Sequence, residues 1–298
     1  MLEGRVVRAA GGFFTVLAED GLKYLCKARG NLKRGQAALL VGDRVSFRPE
    51  KNSSSLSDPQ GIIEQKLPRR NFIDRPPVVN VDQLVIITSQ KEPSGDWQLV
   101  SRLSVMAERE NLQTVICVNK IDLLTQDEMK AMETLTWLYP YPLLYASAKL
   151  ETGIDKLKAV LRGTCSVFAG PSGVGKSSLL NAVQPGLKLQ TGEVSEKIMR
   201  GRHTTRHAEL LALEGGGSVV DTPGFTRLDF QRIKPAELKA YFPEFETLQG
   251  RCAFRDCRHL TEPNCAVKDA VGQSVNPMRY EHYSYFAAEI GKGEEDYR

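Results

Sequence analysis

The segment from Gly170 to Ser177 constrains this chain most, because it fits the pattern G-x-x-x-x-G-K-[ST]. A β-branched, apolar run precedes it and a helix-compatible run follows it, so we predict a strand, a phosphate-binding loop and a helix. The glycines let backbone N–H groups turn inward around phosphates, and the helix N-terminus adds partial positive charge. The alternative is an ordinary glycine-rich turn before a helix. The predicted nucleoside triphosphate site comprises Gly170, Pro171, Ser172, Gly173, Val174, Gly175, Lys176, Ser177 and Ser178.

Individual residues of this loop and of a later motif have predictable roles. Lys176 is expected to bridge the β- and γ-phosphates, and the Ser177 hydroxyl is expected to bind Mg²⁺. Downstream, a strand-like run ends in Asp221-Thr222-Pro223-Gly224, a D-x-x-G pattern. We expect Asp221 to hold Mg²⁺ through a water molecule and the Gly224 N–H to reach the γ-phosphate. The loop 201–206 offers Mg²⁺ a threonine hydroxyl; we favour Thr205, with Thr204 as the alternative.

An N-K-x-D pattern at residues 119–122 predicts that the base is guanine. The Asp122 carboxylate can accept hydrogen bonds from guanine N1–H and the 2-amino group, whereas adenine offers neither donor. Losing two charged hydrogen bonds reduces affinity by about 10²–10⁴. Alone, the pattern could be a capped turn, but it follows a strand-like run, and Ser-Ala-Lys follows the next strand to meet guanine O6. The predicted base-contacting residues are Asn119, Lys120, Ile121, Asp122, Ser147, Ala148 and Lys149.

These elements come in an unusual order, because the base-reading segments precede the phosphate loop. Moving residues of about 69–163 behind residue 230 restores the common GTPase order. The sheet tolerates this permutation if the usual termini are adjacent and joined, here through Arg162-Gly163. The D-x-x-G segment then runs directly into the C-terminal segment, so GTP hydrolysis could act on that segment.

Three cysteines and one histidine fall within 14 residues near the C-terminus, in the pattern C-x4-C-x-H-x5-C. Cys₃His is the composition of a structural zinc site, and we predict one zinc ion there. The alternative is a buried thiol cluster or a redox pair. The four predicted ligands are Cys252, Cys257, His259 and Cys265. The other cysteines lie in apolar strand-like runs and are expected simply to be buried: Cys26, Cys117 and Cys165.

About five short strand-like runs, separated by turns, fill the first 67 residues and predict a small barrel. Among small barrels we favour an OB-fold. Basic and aromatic side chains on its strands could bind RNA, or the barrel could present a solvated face that binds nothing. The net charge of +4 permits a nucleic-acid partner without requiring one. No apolar run approaches the ~18 residues of a membrane span, and the N-terminus does not read as a signal peptide, so a cytoplasmic location is expected.

The predicted fold is α/β: a circularly permuted P-loop GTPase domain between an N-terminal OB-fold β-barrel and a C-terminal zinc-binding, mostly helical domain. The predicted boundaries are 1–67 for an RNA-binding barrel, 68–230 for the GTPase domain and 231–298 for the zinc domain. Strand–helix alternation from residue 81 supports the parallel α/β sheet of the central part.

Permuted motifs, a small N-terminal barrel and a Cys₃His segment together resemble the ribosome small subunit-dependent GTPase A family, also called RsgA or YjeQ. The resemblance covers nearly the whole chain. It implies a GTPase stimulated by the small ribosomal subunit, which couples hydrolysis to late subunit assembly and to its own release. It also implies GTP or GDP, Mg²⁺ and one Zn²⁺ as ligands. The barrel and zinc domain would hold ribosomal RNA, and we expect a monomer.

The family resemblance also bears on catalysis. Phe225 follows the D-x-x-G segment, where many GTPases place a glutamine that orients the attacking water, so hydrolysis should be slow unless another group substitutes. The resemblance points to His203, which would act with Lys176 and Thr205, although a lone loop histidine is usually unremarkable. One alternative function is a GTP-gated RNA-binding protein for which hydrolysis is incidental. Another is a GTPase acting on a different structured RNA or a membrane-associated partner.

Overall fold

The computed structural model describes residues 1–32, 38–50, 59–73, 77–137, 139–187, 189, 209–221, 230 and 233–295. These residues form two compact units, each assembled from separate stretches of the chain. Unit 1 contains the described residues of Met1–Leu84, Asp155–Phe168 and Ser177–Phe225, and unit 2 those of Val85–Ile154, Ala169–Lys176 and Thr226–Arg298. Within the described ranges, no helix is both long enough and apolar enough to cross a membrane.

The strands are β1 (Leu2–Ala10), β2 (Phe13–Ala18), β3 (Lys23–Ala28), β4 (Arg44–Pro49), β5 (Gln60–Lys66), β6 (Phe72–Ile73), β7 (Val78–Val79), β8 (Gln83–Ser89), β9 (Gln113–Asn119), β10 (Leu143–Tyr145), β11 (Cys165–Ala169), β12 (Glu209–Ala212) and β13 (Ser218–Asp221). The α-helices are α1 (Trp97–Arg109), α2 (Gln126–Thr136), α3 (Ile154–Leu161), α4 (Lys176–Val183), α5 (Ala266–Asp269) and α6 (Pro277–Glu295). Short 3₁₀ helices cover Gly30–Leu32, Ile121–Leu123, Pro185–Leu187, Leu238–Tyr241 and Pro243–Leu248.

The N-terminal part of unit 1 is a closed five-stranded barrel. Its strands pair in the order β1-β2-β3-β5-β4, and β4 pairs back onto β1. All these pairings are antiparallel except that between β3 and β5. Along β2 and β3, buried residues alternate with residues of the outer face, as expected where only one face of a strand meets a core. The predicted OB-like barrel is therefore confirmed.

The remaining strands of unit 1 extend from the barrel. Strand β11 runs parallel to β13, and β12 pairs antiparallel with β13. Strand β12 also pairs with β1 of the barrel, where Arg8 lies opposite Glu209. The Gln83 amide donates to the hydroxyls of Thr164 and Ser166, so the start of β8 is bonded to the residues around the start of β11.

In unit 2, strands β8, β9 and β10 lie side by side in that order, and β9 and β10 are parallel. Every residue of β8 is buried, as expected for an interior strand of a parallel sheet. Asp96 caps the N-terminus of helix α1, and its carboxylate accepts a hydrogen bond from the Leu99 N–H. Helix α2 begins with the predicted capping box between Thr125 and Glu128. The predicted strand–helix alternation is therefore present.

The C-terminal part of unit 2 packs against α1. Its core contains Phe242, Phe245, Tyr283 and Phe286, together with Val105 of α1. Beside this core a fully buried ion pair joins Arg279 of α6 to Glu244, and the same guanidinium donates to the Ser104 hydroxyl on α1. The C-terminal segment therefore shares its interior with a helix encoded before residue 110. The three-domain boundaries stay a prediction.

Candidate nucleotide and metal sites

The phosphate-binding loop has the predicted local structure, with β11 before it and α4 after it. Gly170 has a φ of 143°, and a Cβ atom there would lie only 2.0 Å from the Ile87 carbonyl oxygen. Gly175 has a φ of 94°, and a Cβ there would lie 2.4 Å from the Asn119 side-chain nitrogen. Only glycine fits both positions. A Cβ atom would clash with its neighbour, and a positive φ is unfavourable for residues that carry a side chain.

The Lys176 ammonium lies inside the loop. Its Nζ donates to the carbonyl oxygens of Gly170 and Pro171, at 2.9 and 2.8 Å. Burial lowers the pKa of Lys176, because removal from water disfavours the charged form. A phosphate group would favour the charged form instead, so this lysine is suited to an anionic ligand. Ser177 is half-buried in the first turn of α4.

Asn119 connects all three predicted nucleotide-binding segments of unit 2. Its buried side-chain nitrogen donates to the Val174 carbonyl of the phosphate loop, at 2.9 Å. Its side-chain oxygen accepts from the Ala148 N–H in the Ser-Ala-Lys segment, at 3.2 Å. The base-reading turn encoded early in the chain therefore contacts the phosphate loop encoded later. A single site for base and phosphates requires these segments to be neighbours in this way.

The predicted guanine-reading carboxylate is held by a serine. The Ser147 hydroxyl donates to Asp122 Oδ1 at 2.6 Å and accepts from the Leu150 N–H at 3.1 Å. Lys120, just before the turn, adopts a left-handed conformation with φ of 61°. Ser147 is fully buried, whereas Lys149 is exposed. The sequence indicated Ser147 as part of the base site but did not reveal its bond to Asp122, because residue type alone does not identify a partner.

Sequence reasoning missed the loop 90–96, which follows β8. The Lys120 ammonium donates to the Glu92 carbonyl, and Pro93 Cδ lies 3.9 Å from the Cβ position of Gly173. The loop therefore contacts the base-reading turn and lies close to the phosphate loop. Its sequence carries no motif, and only its place after a parallel strand, at the edge where such sheets bind ligands, could have indicated it.

Several predicted site residues lie outside the described part of the chain. Asp221 is described through its backbone, which ends β13 opposite Glu209. Its side chain is not described, so its predicted role toward Mg²⁺ stays a prediction. The remaining positions outside the described residues are His203, Thr204, Thr205, Gly224 and Phe225.

The C-terminal cysteines and histidine converge as predicted. The ligand atoms of Cys252, Cys257, His259 and Cys265 all lie within 4.8 Å of one another. His259 Nδ1 is 3.6 Å from the Cys252 sulfur and 3.4 Å from the Cys265 sulfur, and those sulfurs are 4.0 Å apart. In a tetrahedral zinc site with bonds of about 2.0–2.3 Å, neighbouring ligand atoms lie about 3.5–3.8 Å apart. The cluster therefore fits a structural zinc ion.

The surroundings of the cluster also suit a metal. Burial lowers the pKa of His259, which favours the neutral imidazole that binds zinc. Burial raises the pKa of the Cys257 thiol to about 12, so zinc binding must displace its proton. The Lys239 ammonium and the Tyr280 hydroxyl donate to the carbonyls of Cys257 and His259, which fixes the ligand backbone.

The other three cysteines are buried, as predicted, and each is a free thiol: Cys26 in β3, Cys117 in β9 and Cys165 in β11.

Two family models match the sequence. The model described as the RsgA GTPase matches residues 66–231, and the model described as the RsgA N-terminal domain matches residues 3–56. The small ribosomal subunit biogenesis GTPase RsgA of Moorella thermoacetica is 47% identical over 290 residues, which cover 97% of each chain.

Two solved structures are similar over nearly the full length. The crystal structure of YjeQ from Thermotoga maritima matches with a TM-score of 0.85 and 40% identity, covering 97% of this chain and 98% of the other. The crystal structure of YloQ, described as a circularly permuted GTPase, matches with a TM-score of 0.81 and 34% identity, covering 98% and 96%. The permuted order of the motifs, predicted from the sequence, is confirmed by these similarities.

Proposed function

Because this chain belongs to the RsgA family of GTPases, we propose that its hydrolysis of GTP times its own release from the maturing small ribosomal subunit. The chain is a GTP hydrolase of small-subunit biogenesis, the activity that its relatives carry in their names. The observation that carries this conclusion is the Asn119 side chain, which bonds both the phosphate loop and the Ser-Ala-Lys segment. A nucleotide in this pocket would meet base-reading and phosphate-binding groups together.

In this site Asp122 would read the guanine N1–H and 2-amino group, with Lys120 and the Ser-Ala-Lys segment beside the base. The loop 170–178 would bind the phosphates, with Lys176 at the β- and γ-phosphates. Mg²⁺, when bound, supplies charge neutralisation on those phosphates, and Ser177 and Thr205 are its proposed ligands. Phe225 cannot orient the attacking water, and we assign this role to His203 because the family resemblance points to it.

The barrel offers a surface that suits RNA. On its outer face Phe13 and Leu25 are 41% and 38% exposed, on neighbouring strands β2 and β3. Lys27 lies opposite Phe13, with its ammonium 5.6 Å from the ring centre. An exposed ring stacks on an unpaired base, and a neighbouring ammonium attracts phosphate. We therefore propose that this face contacts ribosomal RNA, with the zinc segment as a second contact.

We further infer that the protein acts as a monomer in the cytoplasm. The proposed nucleotide and zinc sites are each built from one chain, so neither requires a second copy. The proposed partner is a single large particle, which one copy of the chain can bind. Light scattering on the purified chain with GDP tests the monomer directly.

The proposed cycle is tested by co-sedimentation with small ribosomal subunits on sucrose gradients, with GDP or with a non-hydrolysable GTP analogue. We expect binding with the analogue and release with GDP. The variant His203→Ala should keep GTP affinity but lose most subunit-stimulated turnover, and it should therefore stay bound in GTP.

Each outcome of this experiment separates the alternatives. If His203→Ala lost stimulated turnover yet dissociated normally in GTP, hydrolysis would be incidental and the protein a GTP-gated RNA-binding module. Equal sedimentation with GDP and the analogue would contradict nucleotide-controlled release. Unchanged stimulated turnover in the variant would remove His203 from the mechanism.

A further inference from the structure

The loop 90–96 packs against the base-reading turn at residues 119–122. Lys120, which precedes the turn, donates its ammonium hydrogen to the Glu92 carbonyl. The loop itself is closed by the Ser89 hydroxyl, which donates to the Pro93 carbonyl at 2.8 Å. Gly95 packs closely inside it, since a Cβ there would lie 2.6 Å from the Ser89 carbonyl oxygen. The internal contacts of the loop therefore fix the position of the Glu92 carbonyl, which binds one end of the turn.

Lys91 supports the other end of the same turn. Its Nζ lies 3.3 Å from the carbonyl oxygen of Leu123, the last residue of the 3₁₀ turn that carries Asp122. The same ammonium lies 2.7 and 2.8 Å from the two Glu128 carboxylate oxygens. Glu128 in turn accepts from the Thr125 N–H in the capping box of α2, at 2.8 Å. Lys91 thus links the end of the turn to the fixed start of a helix.

These contacts matter through geometry more than through stability. The side chains of Lys91 and Glu128 are 41% and 39% exposed, and such partly exposed ion pairs contribute little to folding stability. A carboxylate that reads two donors at once must, however, be held to within about 0.5 Å. Ser147 fixes one oxygen of Asp122 from inside, and the backbone of the turn determines where the other points.

We propose that Lys91 is a positioning residue for guanine selectivity. Through the Leu123 carbonyl and Glu128, it holds the 3₁₀ turn so that the Asp122 carboxylate faces both the N1–H and the 2-amino group of guanine. This inference rests on the proposed guanine site. It adds a residue that no nucleotide-binding motif includes.

The test compares the affinities of GDP and inosine diphosphate by calorimetry. Hypoxanthine lacks the 2-amino group, so inosine diphosphate makes one hydrogen bond with Asp122 where GDP makes two. In Lys91→Met we expect the GDP-to-IDP affinity ratio to fall about 3- to 10-fold, because misplacement of Asp122 weakens the bidentate contact more. Lys91→Arg should keep most of the ratio, since a guanidinium can still reach the Leu123 carbonyl and the Glu128 carboxylate.

A matched control is Lys130→Met, which removes an exposed lysine from the same helix as Glu128. Lys130 makes no ion pair within the described ranges, so its loss should leave the affinity ratio unchanged. In GTP hydrolysis, Lys91→Met should leave kcat unchanged and raise the KM for GTP. Its melting temperature should stay within about 2 °C of the unmodified chain, as expected for loss of an exposed pair.

Equal weakening of both nucleotides in Lys91→Met, with the ratio preserved, would overturn the proposal, and so would an unchanged ratio without any weakening. If the unmodified chain bound GDP and inosine diphosphate equally, the proposed guanine site itself would be contradicted. The proposed role of Lys91 would then be contradicted as well.

Discussion

His282 is a half-buried imidazole whose protonation the fold opposes. Its Nδ1 lies 2.8 Å from the Ser101 hydroxyl oxygen on α1. Burial, together with the positive charge of Arg279, lowers the pKa of His282 to about 4, although Asp96 acts in the opposite direction. In the unfolded chain a histidine has a pKa of about 6.5. Between these values the unfolded state binds a proton that the native state excludes, so stability is full above pH 6.5 and falls as the pH drops toward 4.

Replacing His282 with glutamine should therefore flatten the acid side of the stability profile. The side chain is partly exposed, so solvent reduces the effect, and we expect the unmodified chain to lose about 1 kcal/mol more than His282→Gln between pH 7 and pH 5. Urea unfolding at intervals across that range measures the difference. Parallel profiles for the two proteins would show that His282 titrates normally in the folded state. Changes at the zinc ligands affect both chains equally and cancel.

At the scale of elements, the segment 252–265 depends most on a metal. It holds four ligands and no helix or strand, since α5 begins only at the following residue, Ala266. In such a segment, the free energy of zinc binding supplies much of the free energy of folding. We expect the purified chain to carry about one zinc ion, and Cys257→Ser to lose it and to become more susceptible to proteolysis between residues 252 and 265.

Cys165→Ala is the matched control for this experiment, because it removes another buried thiol that lies outside the cluster. It should retain the zinc ion. Elemental analysis of protein purified without added zinc gives the stoichiometry, and mass spectrometry detects any disulfide. A metal-free chain with a disulfide between two of these cysteines would support the redox pair instead.

Which elements could be predicted depends on how local their signals are. The start of α2 was predictable because Thr125 and Glu128 form a capping box within four residues. The phosphate loop was predictable because its glycines and lysine fall within seven residues. In contrast, the closure of the barrel by β4 onto β1 joins distant parts of the chain. Pairing of that kind depends on competition among all strands, which no local pattern records.

Within the candidate site, too, short motifs were predictable and long-range contacts were not. Asp122 and Lys176 were predictable because each role belongs to a short motif whose chemistry is set by residue type. The bond between Ser147 and Asp122 and the support from Lys91 were not, and neither was the ion pair between Arg279 and Glu244 in the C-terminal part. Each joins residues that are distant in sequence, and a serine, lysine or arginine has many possible partners on a surface.

For the molecule as a whole, a long-range core connects the C-terminal segment to the nucleotide-binding part of unit 2. Arg102 of α1 stacks on Phe230 and Phe286, at 4.3 and 4.9 Å from the ring centres, and pairs with Glu289. Arg279 is fully buried against α1, and its loss would leave Glu244 as an uncompensated buried charge. Helix α1 follows the loop 90–96 directly, so packing on α1 also supports the nucleotide site.

A chain shortened to residues 1–230 should therefore be damaged beyond the loss of zinc. Removing the C-terminal segment exposes the apolar face of α1, at a cost of several kcal/mol, and should lower the melting temperature by roughly 10 °C or more. We expect GDP affinity to fall as well, because the loop 90–96 loses its support.

Full-length Cys257→Ser separates the loss of zinc from the loss of packing. It loses the metal but retains the packing on α1, and it should bind GDP nearly normally. Calorimetry and thermal unfolding of the three chains give the comparison. If the shortened chain melted and bound GDP like the full-length protein, α1 would be stable without the C-terminal core, and the link between that core and the nucleotide site would be wrong.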